Sequence, residues 1–555
     1  MSARPSVVSS AKLIAVCTLI SRITGLARDI LLAQAFGLGW VQDAFSYAFQ
    51  FPNLFRRLFG EGAMSPVFVP TFTKTLETEG PDAAWRLLAR TLALMTVALL
   101  VLIVVIALII AGIWFFLPVD PQKAASRELL LGLTAVMLPF MLTICVVALL
   151  SSILNCMGSF VPAALASVVL NVGMIAGIAW LAPVLCPGHP HRQVYVVALT
   201  VVVSGVLQIV FLLPALRKNR VTLGWQCEWR EPTVKKMLQL LPPVALGQGV
   251  LAFGVFLDSQ ICAMLSHVHD TPATTSLLGL QFTYPLQEGA LSAITYAQRL
   301  YQFPLGVLVI SLATAALPAF SRLAAREEWP AWTAEVRQSL RLAVFEGVLA
   351  GVMMIMLPEA LTRLLFERGR FTSADTLRTG YVVACYGFGL WAFCAQHIVL
   401  RAFYSVGDVR TPLAISVVLL PVNVALNLTL IWFEGIREAA FAISSSLTSS
   451  ASVIVGLVIL ERRVGERVFD RATLLALVRM AVVGAVTAAV LALVGPRWTA
   501  LARHIHATLA SRLCETAGLL VIGTAVFVAV AWVLRLHELS LLVPRRWLGR
   551  RATAE

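Results

Sequence analysis

Charge is scarce in this chain. Of 555 residues only 13% are Asp, Glu, Lys or Arg, while 59% are hydrophobic and the mean hydropathy is +0.86. Soluble domains carry about 25% charged residues, so half that share together with long apolar runs excludes a soluble globular protein and indicates an integral membrane protein. Paired cysteines are also missing. The nine are scattered, mostly inside apolar runs (Cys17, Cys145, Cys156, Cys262, Cys385, Cys394), with no CxxC. That excludes a disulfide framework and a zinc site. Catalytic signatures are missing as well: there is no Walker A loop, no GxSxG, no HExxH and no Asp-Asp pair, and only Glu327-Glu328 places carboxylates side by side. Metal-assisted chemistry on a lipid phosphate needs clustered carboxylates, so no enzyme and no cofactor are expected. The N-terminus, MSARPSVVSSAKL, lacks a small-residue cleavage site after a short apolar region, so it reads as the start of a retained span.

Apolar runs, by contrast, are abundant. They predict an all-α polytopic protein with about fourteen spans, near 11–36, 41–72, 88–117, 128–155, 160–183, 194–216, 236–265, 290–321, 340–366, 377–403, 411–434, 437–461, 472–495 and 514–537. The net charge of +14 has no aromatic-basic clustering of the nucleic-acid kind. Its arginines and lysines gather in alternate loops: 217–236, 322–341, 462–471 and the tail from Arg545 to Arg551. The positive-inside rule then places both termini in the cytoplasm. Loop 367–378, with Arg368, Arg370 and Arg378, breaks the pattern on the outer side.

A repeat recurs about 250 residues apart. NCMGSFVPAALASVVLNVGMI (155–175) resembles YSVGDVRTPLAISVVLLPVNVALNLTL (404–430), aligning Gly158 with Gly407, Pro162 with Pro412 and Asn171 with Asn423. Phe51-Pro52 answers more weakly to Phe303-Pro304. Duplicated halves with a site between them are a transporter design. The expected organisation is a first lobe over 1–217, a cytoplasmic linker over 218–235, a second lobe over 236–461, and two further spans with a basic tail over 462–555.

The few charges that enter apolar runs are concentrated in residues 21–70, which carry Arg22, Arg28, Asp29, Asp43, Arg56, Arg57 and Glu61. Each costs about 2.5–3.5 kcal/mol at a bilayer centre, so such residues face a polar interior. Arg22 and Arg28 lie about 120° apart on a helix, with Gly25 between them. Two guanidinium groups flanking a glycine suit an anion, because the planar fork of arginine matches two phosphate oxygens. The alternative is that they only pair with Asp29, Asp43 or Glu61. Arg57 and Glu61 are i,i+4 neighbours that can neutralise each other, leaving Arg56 as the better ligand; Pro52, Gly60, Gly62, Pro66 and Pro70 predict a bent helix. Arg299 is either an interfacial arginine or, by its place in the repeat, a partner of the second span. Asp258, the Asn423–Asn427 face and Thr448 offer hard oxygens for a sodium ion, or, for the asparagines, hydrogen bonds to neighbouring helices.

Several runs together resemble the MurJ (MviN) family of lipid II flippases: SRITGLARD, DAFSYAFQFPNLFRRLFGEGAMSPVFVP, YAQRLYQFPLGVL with LPAFSRLA, LFERGRFTSADT and RAFYSVGDVRTPL, in order from about residue 20 to 430. The resemblance implies the fold of the multidrug/oligosaccharidyl-lipid/polysaccharide exporters, two six-helix lobes in a pseudo-symmetric V with two C-terminal helices. It implies movement of undecaprenyl-diphosphate-linked peptidoglycan precursor from the inner to the outer leaflet of the bacterial cytoplasmic membrane, by alternating access. The family's cavity arginines fall on Arg22, Arg28, Arg56 and Arg299, with Ser21 and Asn53 as further substrate contacts. Gly25, Asp29, Asp43, Arg57 and Glu61 match cavity or gate positions. Asp258, Asn423, Asn427 and Thr448 match a sodium site found in some members. Implied partners are lipid II, the bilayer and other cell-wall synthesis proteins. The 266–289 loop is longer than the family's pattern and reads as an outer gate element or as a plain insertion. Competing functions are a flippase for another polyprenyl-linked glycan and an efflux antiporter of the same fold. An antiporter for cationic drugs calls for an acidic or aromatic cavity, and this one is rich in arginine.

Overall fold

The computed structural model describes residues 7–58, 67–116, 121–226, 228, 231, 235, 253–268, 274–277, 280–503 and 509–542. They fall into two compact units, Met1–Ser292 and Ala293–Glu555.

The first unit runs α1 (Val7–Phe36), α2 (Trp40–Phe55), α3 (Val69–Thr78), α4 (Pro81–Phe116), α5 (Pro121–Cys156), α6 (Phe160–Ala176), α7 (Ala182–Leu185), α8 (Pro190–Lys218) and α9 (Phe253–Leu265). Helix α5 is its centre, packed by α2 and α8, while α6 bridges α1 and α8. The core between them is aromatic and aliphatic, with Phe45, Phe68, Phe72, Phe140, Met137 and Leu150 buried. After α9 the chain forms short strands, which the sequence reading did not anticipate: β1 (Ser266–His267), β2 (Thr274–Leu277), β3 (Leu280–Thr283) and β4 (Leu286–Gln287). Strands β2 and β3 make an antiparallel hairpin with Thr274 opposite Thr283, and β1 pairs with β4. The 266–289 loop thus carries paired strands, while the other regular elements among the described residues are helical. Helix α10 (Ala290–Pro304) begins at the end of this unit.

The second unit continues with α11 (Ile310–Ala325), α12 (Trp329–Met356), α13 (Pro358–Phe366), α14 (Ser373–Ser405), α15 (Arg410–Leu430), α16 (Ala440–Val464), α17 (Arg471–Arg503), α18 (Leu509–Val533) and α19 (His537–Leu542). Helices α12 and α14 form its axis. They approach closely because glycines face each other: a Cβ on Gly351 would lie 2.6 Å from the Gly387 carbonyl oxygen, and one on Gly387 2.9 Å from that of Gly351. Small residues that let backbones meet are the usual means of packing helices in lipid. The last two spans belong to this unit, with α17 against α12 and the Phe527 ring of α18 on Phe345 at 5.0 Å.

Element ends are set locally. Helix α14 starts on a capping box in which Thr372 Oγ1 accepts from the Asp375 N–H at 3.3 Å and Asp375 Oδ2 accepts from the Thr372 N–H at 2.8 Å. Asp408 opens α15 by accepting from the backbone of Arg410 (3.1 Å) and Thr411 (3.0 Å) and from Thr411 Oγ1 (2.6 Å), and it pairs with Arg463. Burial alone would raise its carboxyl; the Thr411 hydrogen bonds and Arg463 outweigh that and hold it below the ordinary carboxylate range. Gly158 and Gly407, aligned by the repeat, both turn with positive φ (75° and 73°) ahead of α6 and α15.

Among the described residues ten helices are long and apolar enough to cross a membrane. The other expected spans are the charged α1, the interrupted segments of α2–α3 and α10–α11, and α9, whose expected range extends beyond the described residues. The chain is an all-α polytopic membrane protein.

Candidate functional site

The charges of α1 lie on a polar seam with α6. Arg28, 8% exposed, donates through Nε (2.9 Å) and Nη2 (2.7 Å) to Asp29 Oδ1 and through Nη1 to Asn171 Oδ1 at 3.0 Å. Asn171 Nδ2 donates in turn to the Ser21 carbonyl (3.2 Å) and Thr24 Oγ1 (3.3 Å), and the hydroxyls of Ser21 and Ser167 meet at 2.8 Å. Gly25 faces this amide: a Cβ there would sit 3.5 Å from Asn171 Nδ2. Of the two readings of Arg28, pairing with Asp29 is the one this conformation displays. The carboxylate oxygen occupies the guanidinium edge that a phosphate oxygen would use. Arg22, six positions earlier, is half-buried.

Four residues after Pro52 the backbone widens into a π turn over 56–58, which carries Arg56 and Arg57. An inserted residue per turn is common where a helix must present side chains to a site. Arg56 Nε donates to Asn53 Oδ1 at 3.1 Å. Gly60, Glu61, Gly62 and Pro66 lie outside the described residues, so the Arg57–Glu61 pair does too.

Asp43, at the other end of α2, is 4% exposed. Its Oδ2 accepts from the Gly289 N–H at 2.7 Å, and its Oδ1 accepts from the Ser292 N–H at 2.8 Å and Ser292 Oγ at 2.5 Å. Gly289 and Ser292 stand at the N-cap and third positions of α10, so a carboxylate from a distant helix performs the work of a capping box. Tyr47 Oη donates to Gln260 Oε1 of α9 at 2.6 Å beside it.

Arg299 sits in α10, half-buried, with Nη1 3.5 Å from Gln302 Oε1. Five residues later comes Pro304, followed by a π turn over Leu305–Val309. The weaker sequence match between Phe51-Pro52 and Phe303-Pro304 therefore corresponds to a shared backbone device, an arginine-bearing helix that widens after a proline. In α15 and α16, Ser444 Oγ donates to Asn427 Oδ1, Asn427 Nδ2 to Asn423 Oδ1 (3.2 Å), and Asn423 Nδ2 to Thr448 Oγ1 (3.3 Å). This chain of amides and hydroxyls clamps the two helices together. Asp258 is half-buried in α9, in the first unit.

Sequence reasoning named Asn171 only as a repeat position and Ser444 only as a neighbour of Thr448, and it missed Ser167, Gly289 and Ser292. An asparagine in an apolar span was a usable signal for the first; nothing local marks Ser292 as the partner of Asp43.

Charged helices that widen after a proline, one in each unit and set among apolar spans, are the build of a membrane transporter. The solved structures agree at the level of fold: one described as "Lipid II flippase MurJ, inward closed conformation" superposes with a TM-score of 0.71 at 21% identity, covering 94% of this chain and 98% of the other. An inward-facing MATE family transporter of the MOP superfamily gives 0.62 at 16% identity, covering 81% and 98%. The profile of the family "Lipid II flippase MurJ" matches residues 32–510. A "Probable lipid II flippase MurJ" of Rhizobium tropici is 30% identical over 97% of this chain and 96% of its own length, and a "Lipid II flippase MurJ" of Burkholderia cenocepacia is 32% identical over 72% and 73%. The chain belongs to the lipid II flippase MurJ family.

Proposed function

We propose that this protein carries lipid II, the undecaprenyl-diphosphate-linked peptidoglycan precursor, from the inner to the outer leaflet of a bacterial inner membrane by alternating access. The observation that carries the reading is the family match over residues 32–510. Both termini lie in the cytoplasm in this reading, which the arginine-rich alternate loops support.

Arg22, Arg28, Arg56 and Arg299 take the diphosphate, with Ser21 and Asn53 as further contacts. Asp29 acts as a placeholder: it satisfies Arg28 in this conformation, and an entering phosphate oxygen displaces it. Such an exchange avoids an uncompensated guanidinium in the membrane at any stage, which would cost several kcal/mol. Asp43, Arg57, Glu61 and Gly25 serve the gate, Asp43 by holding the first turn of α10. Net movement needs different affinities in the two states. An empty site with excess positive charge responds to the membrane potential by about 2.3 kcal/mol per charge per 100 mV, so a negative interior favours its return inward.

Sodium is a secondary proposal. Asp258, Asn423, Asn427 and Thr448 supply the hard oxygens it requires, and the amide oxygens now accepting from Asn427 and Ser444 would turn to the ion.

The test is mass spectrometry of lipids co-purifying with wild type, with Arg28→Ala, and with the charge-neutral pair Arg28→Gln/Asp29→Asn. Lipid II is expected on wild type and lost from both variants. Equal occupancy on all three would remove the first-helix arginines from the mechanism, and a different polyprenyl diphosphate on wild type would reassign the substrate.

A further inference from the structure

The second unit has a cavity of about 460 Å³, open on one side, between the end of α12, α13, α17 and α18. Its two ends differ in chemistry. Glu515, six residues into α18, and Thr499, four residues before the end of α17, line it near the helix termini. Leu519 and Leu491 line it deeper, about 15 Å or more from those termini at 1.5 Å per residue. A polar mouth at the ends of membrane spans above an aliphatic floor follows the division between lipid headgroup and acyl chain.

The mouth carries charges of both signs in an unfinished arrangement. Arg363 approaches three carboxylates, Glu359 at 3.6 Å, Glu367 at 3.5 Å and Glu515 at 3.7 Å, all longer than the roughly 2.7–2.9 Å of a closed charge-assisted bond. Glu367 is already satisfied, accepting from Arg512 Nη2 at 3.0 Å and Thr376 Oγ1 at 2.8 Å. Glu359 and Glu515 are left to share one guanidinium, and Glu515 is 8% exposed. The mouth therefore presents one fork of donors and an excess carboxylate.

We propose that this cavity binds an aminophospholipid of the bilayer, a lipid whose headgroup joins a primary ammonium to a phosphodiester. The ammonium donates to Glu515 and Glu359; the phosphodiester meets Arg363, and the upper acyl chains lie along Leu491 and Leu519. A glycerol headgroup brings no cation to the carboxylates, and choline has no N–H to donate. On the orientation proposed above, the site opens to the outer leaflet. It is separate from the transported substrate and holds α13 to the last two spans.

The full-length protein is placed in nanodiscs with equal amounts of phosphatidylethanolamine, phosphatidylglycerol and phosphatidylcholine, and the lipids retained are counted by native mass spectrometry. Phosphatidylethanolamine is expected to exceed each of the others by about tenfold, and Glu515→Gln and Arg363→Ala to remove most of that preference. Because Arg363→Ala also loosens α13, Ala492→Phe provides a second probe: it replaces an exposed, small wall residue, fills the cavity and leaves every charge in place. It is expected to release the lipid without lowering Tm in lipid-free detergent. Equal retention of the three headgroups, a preference for phosphatidylglycerol, or undiminished retention by Ala492→Phe would each overturn the proposal.

Discussion

Replacing Asp43 by alanine deprives the first turn of α10 of its acceptor. Two buried backbone N–H groups, on Gly289 and Ser292, lose a carboxylate at 2.7 and 2.8 Å. A hydrogen bond to a charged group contributes about 1.5–3 kcal/mol, and a donor left buried and unpaired costs a similar amount, so the pair sums to about 3–6 kcal/mol. Loss of a negative charge at a helix N-terminus adds to this. Water reaching the opened turn offsets part of it, which leaves about 3–5 kcal/mol. Asp43→Asn keeps one acceptor oxygen and is expected to lose about half, while Ser292→Ala removes only the hydroxyl's bond and leaves no backbone donor unpaired, so it should cost least, about 1.5 kcal/mol. Thermal unfolding in detergent should therefore rank the variants wild type, Ser292→Ala, Asp43→Asn, Asp43→Ala in falling Tm. The Asp43→Ala/Ser292→Ala double variant should fall by less than the sum of the singles, because both remove the same contact. If Asp43→Ala melts with wild type, or no lower than Ser292→Ala, the capping argument is wrong.

Other positions give sharper single outcomes. Gly289 has φ of +82°, and a Cβ there would lie 2.8 Å from Leu38 Cβ and 2.9 Å from its carbonyl carbon, so Gly289→Ala should lose at least about 1–2 kcal/mol in a thermal melt; an unchanged Tm contradicts it. Asp408 has a lowered carboxyl pKa, so its stabilisation is complete above the unfolded value near 4 and fades as pH falls through the lower folded value. Asp408→Asn should be less stable than wild type at neutral pH and converge with it in acid, and a gap that persists unchanged to pH 2 refutes this. Asn427, fully buried, links Ser444 to Asn423. Asn427→Leu should cost about 0.6–1.7 kcal/mol, the range of hydrogen bonds between membrane helices. It should also abolish any Tm gain in NaCl over choline chloride; a gain shown by wild type and kept by the variant removes Asn427 from the sodium proposal.

Much of the architecture was legible because lipid imposes simple rules. Among the described residues apolar runs of span length are helices, and π turns follow Pro52 and Pro304, of which the second was not expected. Arg28 shows the limit. Its spacing from Arg22 and Gly25 indicated an anion site, but periodicity within one helix cannot reveal that Asn171, 143 residues away, holds the same guanidinium. Asp43 is similar: a carboxylate near a helix start is ordinarily a local cap, and its use by α10 depends on tertiary placement. The strands of the 266–289 loop escaped because TTSL and LQFT are too short and too weakly alternating to stand out beside twenty-residue apolar runs.

The central claim is tested most directly by reconstitution. Purified protein is placed in liposomes with lipid II confined to one leaflet, and its arrival in the other is followed with a membrane-impermeant reagent. Wild type should transfer lipid II well above protein-free liposomes, and the Arg22→Ala/Arg28→Ala/Arg56→Ala variant should fall to the protein-free rate. Transfer by wild type no faster than in empty liposomes would contradict the flippase reading, and undiminished transfer by the triple variant would contradict the site.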